Sequence, residues 1–206
     1  MFPVWGTCLG HQLLIYLTSG YDSRSIVAVR GQVGMTNTLK ALAGNRLYSS
    51  LSPDTLYKLQ NGQGLVYFNH HYATLTSYFN RSSSLQDFWK LESSTVSPAN
   101  EEFVSSVQAH KYPVYAVQYH PEKTLFEWKV FAQRSDAGTE VVQTLANQFV
   151  DMARKSPNRF NNPSEFEKTN IYNYHPHPTN MSFLQVYAFR EETKREPWTV
   201  PNLRIE

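Results

Sequence analysis

Apolar residues fall in short runs bounded by glycine, proline and asparagine, and their spacing separates helix from strand. Residues 2–5 form an apolar run that stops at Gly6, and residues 9–17 form a second apolar stretch ending near Gly20, a natural residue for a helix C-terminus. The order strand, sharp turn, helix follows. Residues 25–33 alternate enough to predict a strand, whereas Ser52-Pro53-Asp54 opens a short helix, with a serine N-cap and proline at N1, that closes near Asn61-Gly62. Residues 65–69 predict another strand. Three more strands are predicted over residues 88–96, 103–108 and 114–119, the first two parted by Ser97-Pro98-Ala99-Asn100 and the last two by Lys111-Tyr112-Pro113. Such spacing predicts a meander. From residue 139 to 155, Val142, Leu145, Phe149 and Met152 fall at helical intervals, and the segment ends in Arg154 and Lys155 before Pro157. Beyond it the composition shifts to Asn, Pro, His and Tyr, and residues 190–206, charged and with two prolines, read as a loose tail.

A chain of 206 residues with 41% hydrophobic content can bury one sizeable core. Its net charge is only +2, and its densest basic stretch, residues 153–159, is not interleaved with aromatics. Neither nucleic acid nor an anionic membrane is therefore expected as a partner. No apolar run approaches the roughly 18 residues of a membrane span, and residues 1–10 have neither the basic nor the apolar region of a targeting signal. A single cysteine excludes an internal disulfide. Asn80-Arg81-Ser82 and Asn180-Met181-Ser182 fit the glycosylation pattern, and Asn162-Pro163-Ser164 is excluded by its proline. About two such matches arise by chance in a chain this rich in Asn, Ser and Thr.

That cysteine, Cys8, stands between Gly6 and Gly10 in Val4-Trp5-Gly6-Thr7-Cys8-Leu9-Gly10-His11-Gln12. With 9 glycines in the chain, two such flanks occur by chance at about 0.002, so the arrangement stands well above background. In a strand-to-helix elbow the nucleophile adopts a strained backbone, and residues two before and two after it must be small because their backbones crowd together. The helix N-terminus favours thiolate over thiol, and the N–H of Leu9 points to where an oxyanion would form. A nucleophilic cysteine needs a base, and the base an orienting acceptor. His120 emerges at the end of the strand predicted over residues 114–119, and Glu122 lies two residues on, across Pro121. His70 and His71 follow another predicted strand; adjacent residues diverge there, so at most one reaches the site. His175 and His177 lack a third ligand at sensible spacing, and neither a metal nor another cofactor is expected.

Residues 2–10, with 111–123 and Phe126-Glu127-Trp128, closely resemble the γ-glutamyl hydrolases of the class I glutamine amidotransferase-like superfamily. The similarity continues through residues 69–79 and 180–189. The resemblance implies an α/β fold, a flavodoxin-like sandwich, in a partial domain over residues 1–189 followed by the loose tail at 190–206. It implies Cys8 as nucleophile, His120 as general base and Glu122 as third triad member, with Leu9 serving the oxyanion. His70, rather than His71, matches the family histidine near the site, and Gly10 and Gln12 join it in substrate binding. Two departures stand out: His11-Gln12 resembles the elbow of ammonia-releasing glutaminases, and Tyr119 replaces the usual tryptophan.

The implied function is cysteine-dependent hydrolysis of γ-glutamyl amide bonds in folyl poly-γ-glutamates, with a folyl poly-γ-glutamate or another γ-glutamyl compound as the substrate partner. A glutaminase subunit delivering ammonia to a synthetase and a non-catalytic remnant of the fold stay open as alternatives, and so does a homodimer. Localisation implied by the family is secreted or lysosomal/vacuolar, which gives weight to Asn80 and Asn180 as glycan sites. Family members carry a long segment before the elbow, including their first strands and a glycine-bearing loop that donates a second oxyanion N–H. The elbow strand is central in that fold, so a chain starting at Met1 is expected to expose Phe2, Val4 and Trp5 and to be unstable or only partly ordered, and inactive, by itself.

Overall fold

The structure, a computed structural model, describes residues 1–30, 33–42 (33–37 as backbone), 44–62, 64–127, 134–179, 185–187 and 189. Two compact units are present, Met1–Asn158 and Arg159–Glu206. The first contains, in order, β1 (Val4–Thr7), α1 (Leu9–Thr18), β2 (Val27–Ala28), β3 (Val33–Asn37), β4 (Lys40–Ala41), α2 (Pro53–Gln60), β5 (Val66–Asn69), β6 (Tyr72–Ala73), α3 (Thr76–Phe79), α4 (Ser83–Phe88), β7 (Trp89–Val96), β8 (Glu102–Ala109), β9 (Val114–Val117), α5 (Pro121–Phe126) and α6 (Asp136–Lys155). The second contains α7 (Pro163–Thr169) and the antiparallel pair β10 (Pro176–Pro178) and β11 (Gln185–Tyr187).

The main sheet has the order β1-β9-β8-β7-β4. Its one parallel pair joins β1 to β9, with Gly6 opposite Ala116, and the other pairs are antiparallel. Alternation along β9 sends successive side chains to opposite faces. Ala116 joins Ile15 of α1, Leu85 of α4, Trp89 and Val107 in one core, while Val117 joins Leu59 of α2, Val141 and Leu145 of α6 and Phe68 in the other. Helices thus cover both faces of the sheet. Trp89, 1% exposed, illustrates the scale, since burying a large apolar side chain stabilises by about 1.5–3 kcal/mol.

Several elements follow from local chemistry. Ser52 caps α2 by accepting from the Thr55 N–H, with Pro53 in the first turn. Ser135 caps α6 by accepting from the Gly138 N–H, so this helix starts three residues before the apolar periodicity does. Of the strand predicted over residues 25–33, Val27–Ala28 form β2, paired with β6, and the last residue, Val33, begins β3, which pairs with β5. β2 is preceded by a 3-10 turn, Ser23–Ser25, which Asp22 caps through the Arg24 N–H. In the chain's second unit, Asn162 caps α7 by accepting from the Ser164 N–H at 3.0 Å. The proline that excludes glycosylation at Asn162 therefore starts a helix. The tail at residues 190–206, Trp128 and Asn180 lie outside the described residues.

β1 is an edge of the main sheet among the described residues. Phe2 is 72% and Val4 37% exposed. Trp5 is only partly so, because its ring packs on Tyr115 and Phe149 at centroid distances of 6.2 and 5.7 Å.

Candidate active site

Strand β1 ends at Thr7 and helix α1 begins at Leu9, leaving Cys8 alone to turn the chain. Its φ of 50° and ψ of −101° lie in a region that non-glycine residues rarely occupy, at a cost on the order of 1–3 kcal/mol. Two backbone hydrogen bonds hold the turn: the Cys8 N–H donates to Val117 O at 2.8 Å, and Gln12 N–H donates to Cys8 O at 3.0 Å. Leu9 and Gly10 open α1, so their N–H groups are among the four without an intrahelical acceptor.

The two flanking glycines are not equivalent. A Cβ on Gly6 would lie 2.8 Å from the carbonyl carbon and oxygen of Gly10 and 2.8 Å from Leu14 Cδ1. A Cβ on Gly10 would meet nothing within 4 Å. Crowding at the elbow therefore demands glycine at the first position only, since Gly10 contributes its backbone to the contact and turns its own Cβ direction into open space. Gly6→Ala is expected to lose about 1–3 kcal/mol of stability through overpacking, and Gly10→Ala to change it by less than about 1 kcal/mol. Denaturant titration of the two variants measures the difference.

His120 follows β9, and its N–H donates to Tyr67 O at 2.8 Å, tying the end of that strand to β5. Pro121 stands in the first turn of α5 and turns the chain back, placing Glu122 beside the ring. Glu122 Oε1 is 2.7 Å from His120 Nδ1. A hydrogen bond there leaves Nε2 for Cys8. Burial presses the His120 pKa down, but hydrogen bonds with Cys8 and Glu122 and the charges of both outweigh it and raise His120 to about 9. Burial pushes Glu122 upward, yet its bond to His120 and the imidazolium charge bring it below the usual carboxylate range. Such an arrangement can hold an imidazolium beside a thiolate.

His70 and His71 part as adjacent residues at a strand end must. His70 is 4% exposed, with ring centroids 5.3 Å from Phe103 and 5.6 Å from Phe68, and burial lowers it to about 4. His71 is exposed and, with Ala28, Val29, Arg30 and Tyr72, lines a cavity of about 500 Å³. Asn80 is exposed at the C-cap of α3. Gln12 lies inside the cluster, its Nε2 donating to Tyr72 O at 2.6 Å and to Gln118 Oε1 at 3.3 Å.

Two residues to which the sequence assigns no place in the site complete the cluster. Gln118 is fully buried, and its Nε2 lies 3.8 Å from Cys8 Sγ. His11, also fully buried, is held down to about 3 by burial, with the neighbouring His70 adding to the effect. Strand alternation could have found the first: Gln118 and His120 are two residues apart on one face. Tyr119 between them points the other way, its hydroxyl 2.9 Å from that of Tyr48, which also meets Ser93 and Ser106. His11 follows Cys8 by three residues, about one turn of α1.

Residues 1–134 match the protein family described as Glutamine amidotransferase class-I. Curated relatives include a gamma-glutamyl hydrolase of Bos taurus, 35% identical over 91% of this chain and 60% of that protein. Another is gamma-glutamyl hydrolase 2 of Arabidopsis thaliana, 30% identical over 93% of this chain and 56% of that protein. This chain thus spans less than two thirds of the length of either. A solved crystal structure of a putative GMP synthase component from Thermoplasma acidophilum matches with a TM-score of 0.46 and 16% identity, covering 74% of this chain and 59% of that one. With the family match extending from the elbow through His120 and Glu122 to residue 134, the chain belongs to the class I glutamine amidotransferase family.

Proposed function

We propose that this chain carries the nucleophile, base and orienting acceptor of a cysteine-dependent hydrolase of γ-glutamyl amide bonds, with folyl poly-γ-glutamates as the substrate class. The observation that carries this reading is the approach of His120, oriented by Glu122 at 2.7 Å, to Cys8 on its strained elbow. The names of the similar proteins supply the γ-glutamyl bond. In the first step the Cys8 thiolate adds to the γ-carbonyl carbon, and the negative oxygen is met by the Leu9 N–H. His120 gives its proton to the departing amine as the C–N bond breaks, leaving a γ-glutamyl thioester on Cys8. A water molecule then passes a proton to His120 and adds to the thioester carbon; the γ-carboxylic acid leaves, losing its remaining proton to solvent, and the thiolate returns. Secretion or delivery to an acidic organelle, with a glycan on exposed Asn80, belongs to the same reading.

Incubation with a folyl poly-γ-glutamate, followed by chromatography of the products, tests it. The expected result is release of glutamate or shortened poly-γ-glutamate with no partner protein added. A second reading, delivery of ammonia to a synthetase, draws on His11-Gln12 in the elbow. Ammonia released from free glutamine, with folyl poly-γ-glutamate left intact, would favour it instead.

A further inference from the structure

The Cys8 sulfur has a second polar neighbour besides His120. Its identity follows from a chain of constraints that starts at a backbone carbonyl. Tyr72 O can only accept, so the Gln12 side-chain atom 2.6 Å from it is the amide nitrogen. That same nitrogen, with its second hydrogen, lies 3.3 Å from Gln118, so the Gln118 atom facing it is the acceptor oxygen. The Gln118 NH₂ must then face the other way, and there it finds Cys8 Sγ at 3.8 Å. Gln118 has no solvent exposure through which to turn, and its own N–H is held by Ser105 O at 2.8 Å.

We infer that Gln118 is a positioning residue for the nucleophile: a fixed N–H donor to the Cys8 sulfur, locked in that orientation by Gln12. This rests on the reading of Cys8 as the nucleophile. A carboxamide N–H can donate but not accept, so it stabilises the thiolate more than the thiol. The carbonyl of Asn69, 3.9 Å from the same sulfur, can only accept and so favours S–H. The sulfur therefore sits between one neighbour suited to each protonation state.

His11 is a further neighbour of Gln118. Neither of its ring nitrogens finds a hydrogen-bond partner of good geometry among the described residues, and the Gln118 side chain is the polar group within its reach. Burial keeps the ring neutral. The titratable groups around the sulfur are His120 with Glu122 behind it, His70 at the end of β5 and His11 on α1.

Cys8 is the one cysteine in the chain, so iodoacetamide labelling followed by mass spectrometry reads this sulfur alone. In Gln118→Met, which keeps the volume and removes the donor, labelling near pH 7 is expected to slow about three- to tenfold. Gln118→Glu, isosteric and also without the donor, should slow it at least as much. Turnover should lose kcat with KM unchanged. Gln12→Leu changes a half-buried residue, unlocks the Gln118 amide and is expected to slow labelling about two- to threefold, which keeps the inference testable if the Gln118 variants do not fold. Labelling curves that superimpose on the wild-type curve at every pH would overturn the inference, as would, in the Gln118 variants, a rise in KM at constant kcat. Absence of γ-glutamyl hydrolysis by the unaltered protein would count against the proposed function, while the labelling curves would still decide the role of Gln118.

Discussion

Replacing Cys8 with alanine is expected to abolish γ-glutamyl hydrolysis, by at least about a thousandfold, while leaving the fold intact. The loss is large because the proposed mechanism has no other covalent acceptor for the γ-glutamyl group, and in a nucleophile–base–acceptor unit removing the nucleophile costs nearly as much as removing all the members. The fold survives because alanine inherits the same φ of 50°, so the backbone strain already present does not grow. The backbone N–H to Val117 O, which holds the turn, is also kept. Paired measurements of turnover and thermal midpoint separate the two outcomes. Retained turnover in a folded variant would show that the elbow is not the seat of the reaction.

Acid is expected to destabilise the protein by roughly 4 kcal/mol between about pH 6 and pH 4, from His11 and His70 alone. Folded, these groups are lowered to about 3 and about 4, below the value near 6.5 that each has in an unfolded chain. In that window the unfolded state binds protons that the folded state refuses, so stability falls as pH falls. Each histidine contributes a slope approaching about 1.4 kcal/mol per pH unit, a large share of a total of about 5–15 kcal/mol. His120 bounds the other side. His120 is raised to about 9, so its contribution is complete below about pH 6.5 and is lost as pH rises through about 9. Glu122 is lowered, so its share is lost as pH falls through its depressed value. Urea unfolding across this range measures the curve, and His11→Leu should remove about half of the acid slope. Parallel curves for wild type and variant would assign the acid sensitivity elsewhere.

Much of this site could be read from the chain because its signals are local. Gly6 and Cys8 announce the elbow by composition, Ser52-Pro53 announces α2 by capping chemistry, and the periodicity through Val142 and Leu145 announces α6. What escaped depends on contacts far apart in sequence. Gln118 and Cys8 are 110 residues apart, and only the parallel pairing of β1 with β9 brings them together. His11 looks like a polar surface residue in a helix whose Leu9, Leu13 and Leu17 are exposed instead. That helix turns toward the sheet the face bearing His11 and Ile15, four residues apart, against the face that apolar content favours. The 25–33 segment alternates like a strand, but its described pairings, β2 on β6 and β3 from Val33 on β5, go to different partners. Propensity does not encode that difference. Pro121 and Pro163 each begin a helix, α5 and α7, where proline could equally have meant a loop.

The backbone ties at the elbow reach beyond geometry. Cys8 N–H is bonded to Val117 O, Gln118 N–H to Ser105 O and His120 N–H to Tyr67 O, so the proposed nucleophile, donor and base are anchored to neighbouring strands through main-chain bonds rather than through mobile side chains. Bringing a thiol and an imidazole together from independent motion is among the larger entropic contributions to a barrier. Here that entropy is surrendered once, when the sheet forms, and need not be surrendered again at each turnover.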